Sequence, residues 1–233
     1  MRLAHYYHLF TAPGWEDIFN EHLDHLEASG LAKQIGCLHL GIVGTEPVVD
    51  RKDRVTIEMV AQANTGWEQV TLNRLHEDVV HGDPFDAVLY AHTKGVSDRN
   101  GWTKVWRRSM TLALVDDWRK CVSLLEGDLD AVGCHWLTQA PEKWVVPPRV
   151  TPHPPVTGIF GGNFWWAKAD YLRRLPPPLM NARYDAELWL GQGNPKVYDF
   201  TPGWPGWNTV LRGARGRTWP LPRVVHHFAS RSR

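Results

Sequence analysis

A histidine and a lysine follow one of the apolar segments of the chain, in the run LYAHTKG. His92 and Lys94 lie two residues apart, so the alternation of side chains along a strand places both on one side. Lys94 could serve as a point charge for a phosphate, and His92 could contact a phosphate, a metal or a hydroxyl group. Gly95 permits a tight turn or a close approach of the backbone to a ligand. With Thr93, these residues form a candidate anion site, against the alternative of an exposed loop with solvated charges.

Two carboxylates near residue 185 could act as general bases. Asp185 and Glu187 follow an Arg-Tyr pair and begin a short segment with helical spacing. A carboxylate that faces a cleft there could take a proton from a hydroxyl group. The alternative is that both only compensate the helix dipole, which contributes about 0.3–1 kcal/mol. Arg107, in WRRSM, is likewise either a guanidinium clamp for a phosphate or part of a solvated helix face.

The run GGNFWWAKADYL combines glycines, an asparagine and aromatic rings. If it is a strand, alternation places Phe164 and Trp166 on one face and Asn163 and Trp165 on the other. We expect the face with Phe164 and Trp166, which also carries Gly162, to pack in the core. We expect the opposite face to form the wall of a ligand site, because the glycines leave room there.

The elements that would position these residues alternate between strands and helices up to about residue 140. This alternation predicts a single α/β domain over residues 1–233, with a mostly parallel central sheet flanked by helices. The predicted strands are 3–10, 37–43, 55–60, 87–90, 131–137, 158–166 and 224–228. The predicted helices are 15–29, 68–75, 103–125, 169–175 and 184–190. Residues 191–233 are rich in Gly, Pro, Trp and Arg, and are predicted to be largely irregular apart from the strand at 224–228.

The carboxyl ends of the strands are the expected place for a ligand in such a sheet. Thr11 and Ala12, after the first strand, and the loop from His92 to Gly95 therefore belong to the same predicted edge. Asp128 and Asp130 have the spacing of a metal-binding Asp-x-Asp pair, but they precede a strand and are predicted to lie at the opposite edge.

Composition limits the classes of partner. The net charge of +1 does not favour nucleic acid or membrane, whereas 13 tryptophans suggest a ligand with flat apolar faces. The chain after Asp199 has no acidic residue but six arginines, which are either a solvated tail or an anion contact. His226 or His227 could bind a metal there, but adjacent strand residues point to opposite faces. Three cysteines without CxxC spacing, no apolar leader and no apolar run of membrane-spanning length predict a cytoplasmic protein.

Several familiar motifs are missing from the sequence. It contains no GxGxxG, GxxxxGK[ST], HExxH or GxSxG motif. Dinucleotide binding of the Rossmann type and P-loop phosphate binding are therefore not supported.

Taken in order, LYAHTKG, WRRSM, DAVGCHW, GGNFWWAKADYLRRLP and RYDAELWL resemble small bacterial and viral glycosyltransferases with a GT-A-like fold. The resemblance covers most of residues 3–190. It implies transfer of a sugar from a nucleotide-diphosphate sugar, most simply a UDP-sugar, to an acceptor hydroxyl by single displacement. Glu187 would be the base, with Asp185 as the second candidate.

The same resemblance implies a division of the site. Thr11 and Ala12 would border the nucleotide, near the start of the helix at Glu68. His92, Thr93 and Lys94 stand where many enzymes of this fold carry Asp-x-Asp, so Lys94 could neutralise the diphosphate in place of Mn²⁺ or Mg²⁺. The implied donor-binding residues are Thr11, Ala12, His92, Thr93, Lys94, Gly95 and Arg107. The implied sugar-binding or acceptor-binding residues are Gly161, Gly162, Asn163, Trp165 and Trp166.

Two other readings stay open at this point. One is a nucleic-acid enzyme: a phage-type glycosyltransferase acting on hydroxylated DNA bases, or a nuclease using His92 and Lys94, with DNA held by the arginine-rich C-terminal segment. The other is a non-enzymatic sugar-binding module built on tryptophan rings.

Overall fold

The protein is described from a computed structural model. It covers residues 1–45, 55–82, 85–97, 101–138, 156–180 and 182–201, and the backbone of 223–225. The strands of these residues are β1 (Leu3–Phe10), β2 (Leu38–Val43), β3 (Ile57–Ala63), β4 (Ala87–His92), β5 (Ala131–Gly133), β6 (Trp136–Leu137), β7 (Ile159–Phe160), β8 (Trp165–Lys168), β9 (Val197–Asp199) and β10 (Arg223–Val225). The α-helices are α1 (Trp15–Ala28), α2 (Ala32–Ile35), α3 (Gln69–His81), α4 (Gly101–Thr111), α5 (Trp118–Glu126), α6 (Ala169–Arg173) and α7 (Asp185–Trp189).

Eight of the strands form one sheet, in the order β10-β9-β5-β8-β4-β1-β2-β3. β1, β2, β3 and β4 are parallel to one another, and β5 is parallel to β9. β8 is antiparallel to both β4 and β5, and β10 is antiparallel to β9. The α/β class with a mostly parallel sheet flanked by helices, predicted from the sequence, is therefore confirmed.

Apolar side chains cover both faces of this sheet, as expected for parallel strands with helices on each side. Leu3 to Leu9 of β1 are all buried. One core cluster contains Tyr7, Leu89 and Trp166, and packs against α1, α4 and α5. The other contains Tyr6, Tyr90 and Trp165, and packs against α3, α6 and α7. No helix among the described residues has the length and apolar character needed to cross a membrane.

The long helix predicted for residues 103–125 is divided into two. A π-helical turn, Leu112–Asp116, separates α4 from α5, and the amide of Asp117 donates to the carbonyl of Leu112, five residues earlier. The indole Nε1 of Trp166 donates to the carbonyl of Leu114 at 2.8 Å. The widened turn thus leaves a carbonyl available to a buried indole, which periodicity alone does not reveal.

Two further predictions about the strands are corrected. The predicted strand 131–137 breaks after Gly133, because His135 has a φ of 61° and β6 leaves the main sheet to pair with β7. The segment from residue 191 onward is not wholly irregular, since Leu190–Gly193 is a 3₁₀ turn and β9 joins the central sheet beside β5. β9 has three residues, too few to show alternation.

Candidate functional site

The carboxyl ends of β1 and β4 lie side by side at a point where the chain leaves in opposite directions. After β1 it continues to β2, and after β4 it continues through α4 and α5 to β5 on the other side. Such switch points are where α/β sheets bind ligands. We call this side of the sheet, where the parallel strands end, the carboxyl edge, and the side where they begin the amino edge.

Threonines fasten the strand ends at the switch point. The hydroxyl of Thr93 accepts the amide of Phe10 at 2.8 Å, and the amide of Thr93 donates to the carbonyl of His8 at 3.0 Å. The amide of Thr11 donates to the carbonyl of Val43 at 3.0 Å. Thr11 and Thr93 are both buried, whereas Ala12 is half-buried. Their main observed role is therefore to fix the edge on which a ligand would rest.

A carboxylate at the start of α3 is the centre of a hydrogen-bonded network. One oxygen of Glu68 accepts the hydroxyl of Tyr90 at 2.9 Å and the side-chain amide of Asn163 at 2.7 Å. The other oxygen lies 3.7 Å from Nδ1 of His92. Asn163 in turn accepts the indole of Trp165 at 2.9 Å. Burial and this carboxylate raise the pKa of Tyr90 well above its usual range. Tyr90 and Asn163 thus hold Glu68 in one orientation.

His92 is a neutral imidazole within the same network. Its Nε2 lies 2.9 Å from the carbonyl of Gly162, and a carbonyl can only accept, so Nε2 carries the proton. Burial, with the nearby charge of Lys94, lowers the pKa of His92 to about 3. His92 therefore links the β4 loop to the Gly161–Asn163 turn, and does not add a positive charge at neutral pH.

Lys94 provides a positive charge on the other side of that turn. Its ammonium lies 4.1 Å from the ring centroid of Trp106, a cation–π contact. Its carbonyl accepts Arg107 at 2.9 Å, and Arg107 also donates to Glu21 at 2.9 Å. Arg107 is buried, so it positions the Lys94 loop through contacts within the fold. Gly95 has a φ of 87°, and a Cβ there would lie 2.7 Å from Thr103.

A second buried group at this edge was not predicted from the sequence. His135 is completely buried, and its Nε2 has no hydrogen-bond partner among the described residues. Its Nδ1 lies 3.0 Å from the hydroxyl of Thr201, and its ring meets Trp106 edge to face, with centroids 6.1 Å apart. Burial, followed by the charge of Lys94, lowers the pKa of His135 to about 4. Lys94 and His135 therefore share one electrostatic environment.

Asp199 holds His135 in its strained backbone conformation. Its two oxygens accept the amides of His135 at 2.8 Å, Trp136 at 2.9 Å and Thr201 at 2.9 Å. Burial raises the pKa of Asp199, although these hydrogen bonds oppose the shift. Asp199 is the last acidic residue of the chain, and that position was the only sign of it in the sequence.

The predicted ligand wall at residues 161–166 is buried. Trp165 and Trp166 belong to opposite core clusters, as alternation predicted, but neither ring presents an open face. The amide of Gly161 donates to the carbonyl of His135 at 2.9 Å. Gly162 has a φ of 98°, and a Cβ there would lie 3.2 Å from Cε of Lys94. The turn therefore joins Lys94 and His135 to the Glu68 network.

The two candidate bases differ in their surroundings. Asp185 is fully buried, and one of its oxygens accepts the amide of Ala182 at 2.8 Å, which ties the start of α7 together. Glu187 is half-buried, and its charge helps to raise the pKa of Tyr90, so it lies near the Glu68 network. Glu187 is the better placed of the two to meet a ligand.

Exposed aromatic rings lie beside these groups instead of at residues 165 and 166. Phe10 ends β1 and is 37% exposed, Trp67 precedes Glu68 and is 45% exposed, and Trp102 opens α4 and is 42% exposed. Each follows a strand at the carboxyl edge, so these rings can offer flat faces to a sugar or a base.

Other parts of the molecule contribute less to this site. His226, His227 and the predicted strand beyond residue 225 lie outside the described residues, as does most of the arginine-rich segment. A cavity of about 600 Å³ lies at the amino edge, where Arg2 pairs with Asp86 and Arg173 with Asp170. Its charges are paired with one another, so we assign the candidate site to the carboxyl edge.

Comparisons with known proteins give a family but no activity. No curated protein sequence matches the chain. The 4-diphosphocytidyl-2C-methyl-D-erythritol synthase of Anaerococcus prevotii DSM 20548 is 12% identical, with a TM-score of 0.37 and 74% of each chain covered. S. aureus TarS 1–349 is 12% identical, with a TM-score of 0.37, 82% of this chain and 55% of that chain covered. A further 4-diphosphocytidyl-2C-methyl-D-erythritol synthase is 11% identical, with a TM-score of 0.33 and coverages of 78% and 83%.

These similarities are too low to indicate what the chain acts on. The family model is informative about membership, because it matches residues 6–188, which include the strands and turns that build the candidate site. The chain belongs to the family described as Domain of unknown function (DUF8361).

Proposed function

We propose that the protein transfers a glycosyl group from a nucleotide-diphosphate sugar to an acceptor hydroxyl at the carboxyl edge. One observation carries the proposal: the Gly161–Asn163 turn has the cation Lys94 on one side and the carboxylate network of Glu68 on the other. Glycosyl transfer needs a positive group for the departing diphosphate and a carboxylate for the attacking hydroxyl. The order of motifs described above supports the same assignment.

In this proposal the reaction is a single displacement. The acceptor oxygen forms a bond to the anomeric carbon, the bond from that carbon to the diphosphate oxygen breaks, and the hydroxyl proton passes to Glu187. Lys94 stabilises the negative charge that develops on the leaving diphosphate. Tyr90 and Asn163 keep Glu68 fixed, so that it can accept a sugar hydroxyl. Trp67 and Trp102 provide stacking surfaces for the base or the sugar.

The β4 loop does not have the ligands that Mn²⁺ or Mg²⁺ prefers. These ions favour carboxylate and other oxygen ligands. At this position the chain offers a neutral imidazole held by Gly162, a threonine hydroxyl that accepts Phe10, and an ammonium group. The proposed steps therefore use Lys94 in place of a metal ion.

The test measures nucleotide release and transfer by the purified full chain with UDP-, GDP- and dTDP-sugars. We expect Lys94→Ala to lower the rate by roughly 10²–10³-fold, the effect of removing one preorganised charge-stabilising group. Glu187→Gln should abolish transfer but retain binding of the donor in a thermal-shift assay. Lys196→Ala is the matched control, because Lys196 is an exposed lysine at the amino edge, paired with Asp128 at 3.1 Å.

Two results would contradict the proposal. One is that none of the donors raises the melting temperature. The other is that Lys94→Ala and Lys196→Ala have equal rates. Binding of a free glycan without any nucleotide dependence would instead favour the non-enzymatic sugar-binding module.

A further inference from the structure

Three different metal-ligating side chains meet at the amino edge, far from the site described above. Cys37 immediately precedes β2, His39 lies within β2, and Glu58 lies in the neighbouring strand β3. His39 and Glu58 are directly paired in the β2–β3 register. Cys37 is two residues before His39, and alternation places both side chains on one face of the sheet. The thiol sulfur, an imidazole nitrogen and a carboxylate oxygen all lie within 4.8 Å of one another.

The surrounding contacts fix two of these donors. The ring of His39 stacks on Tyr6, with centroids 4.6 Å apart and an interplanar angle of 17°. The hydroxyl of Tyr6 donates to Asp78 at 2.6 Å, so the stacking partner is itself held. Cys37 follows Gly36, which has a φ of 68°, and its amide donates to the carbonyl of Ile35 at 2.7 Å. Ordered donors need little rearrangement to bind an ion.

The distances suit a tetrahedral ion. Zinc bonds of about 2.3 Å to sulfur and about 2.0–2.2 Å to nitrogen and oxygen place neighbouring ligand atoms about 3.4–3.6 Å apart at tetrahedral angles. Nδ1 of His39 lies 3.4 Å from a carboxylate oxygen of Glu58. Cys37 and His39 are half-buried and Glu58 is exposed, so an ion can enter from solvent and keep one water.

We infer that Cys37, His39 and Glu58 bind one divalent transition-metal ion, with Zn²⁺ the best match. A thiolate and an imidazole favour such ions over Mg²⁺ or Ca²⁺, and three protein ligands leave a fourth position for water. The ion would cross-link β2 to β3, the edge strand of the sheet. This inference does not depend on the proposed function, because the two sites lie at opposite edges.

The test uses tag-free full chain, freed of metal with a chelator and titrated with Co²⁺. We expect a thiolate-to-cobalt charge-transfer absorption that saturates at one equivalent and disappears when Zn²⁺ is added. Cys37→Ser should abolish the band, and Glu58→Gln should weaken binding roughly tenfold or more. Cys121→Ala is the matched control, because Cys121 is a buried free thiol outside the cluster. Absence of the band, or its persistence in Cys37→Ser, would overturn the inference.

A second measurement avoids dependence on the folding of the variants. Alkylation of the three cysteines in the wild-type chain is followed by peptide mass spectrometry with and without one equivalent of Zn²⁺. We expect Zn²⁺ to slow alkylation of Cys37 at least tenfold, and to leave the buried Cys121 and Cys134 unchanged. Equal rates at Cys37 with and without Zn²⁺ would contradict the inference.

Discussion

The two edges of the sheet carry charges of the same kinds in different settings. Across β4, β5 and β9, the amino edge has exposed ion pairs, such as Asp128 with Lys196, whose side chains are 73% and 55% exposed. At the carboxyl edge, Glu68, Arg107 and Asp199 are partly or fully buried, and backbone or side-chain groups hold them at fixed distances. The difference teaches that the environment of the charged groups, more than their number, distinguishes a candidate site from a solvated surface.

Acid should affect the carboxyl half of the sheet most strongly. His8, His92 and His135 have folded-state pKa values of about 4, 3 and 4, below the unfolded value of 6.5. The unfolded chain therefore binds more protons between these values. The stabilisation is complete above pH 6.5 and is lost as the pH falls, by about 2 kcal/mol for each histidine at pH 5. The free energy of unfolding, measured in urea from pH 7 to pH 5, should fall steeply.

Two variants sharpen this pH comparison. His135→Gln should reduce the slope by about 1.4 kcal/mol per pH unit near pH 5, because one titrating group is removed. His25, whose pKa is raised by Asp116, contributes in the opposite direction, so His25→Gln should make the slope slightly steeper. A wild-type stability that is constant from pH 7 to pH 5 would show that these imidazoles are not buried as described.

Removal of one carboxylate from each edge gives the next largest difference. Asp199→Ala leaves the amides of His135, Trp136 and Thr201 without their buried acceptor, and should cost roughly 3–5 kcal/mol of unfolding free energy. Asp128→Ala removes only an exposed pair, and should cost about 0–1 kcal/mol. Urea denaturation of both variants measures the difference. Equal costs would remove the distinction between the two edges.

Two glycines allow a smaller test of packing. Gly162 and Gly82 have φ values of 98° and 111°, so alanine at either position should cost roughly 1–2 kcal/mol of backbone strain. A Cβ at Gly162 would also lie 2.8 Å from the sulfur of Met110, whereas nothing lies within 4 Å of one at Gly82. Gly162→Ala should therefore cost about 1–3 kcal/mol more than Gly82→Ala in the same denaturation assay. A larger loss for Gly82→Ala would mean that the carboxyl-edge turn is not closely packed.

Local patterns predicted the elements of the fold that are long enough to show a period. β1, α1, β2 and β4 agree with their predicted bounds to within about two residues, and the opposite facing of Trp165 and Trp166 follows from strand alternation. The side chains of His92 and Lys94 were placed at the correct edge, because carboxyl ends of parallel strands meet there.

What the sequence did not reveal depends on distant parts of the chain meeting. Glu68 and Asn163 are 95 residues apart, and Asp199 reaches His135 across 64 residues, so neither pair has a local signal. Burial of Trp165 also requires helices on both faces of the sheet, which its neighbours in sequence do not specify. The exposed rings of Trp67 and Trp102 were missed for the same reason.

The π-helical turn has a consequence for changes in chain length. It holds one residue more than an α-helical turn would, and α5 after it buries Trp118, Cys121 and Leu125. Deletion of one residue from Leu112–Asp116 would restore regular helical winding, but would rotate α5 by about 100° relative to α4. The buried face of α5 would then turn away from β5, so chain length in this helix is constrained to the single residue even where side-chain identity is not.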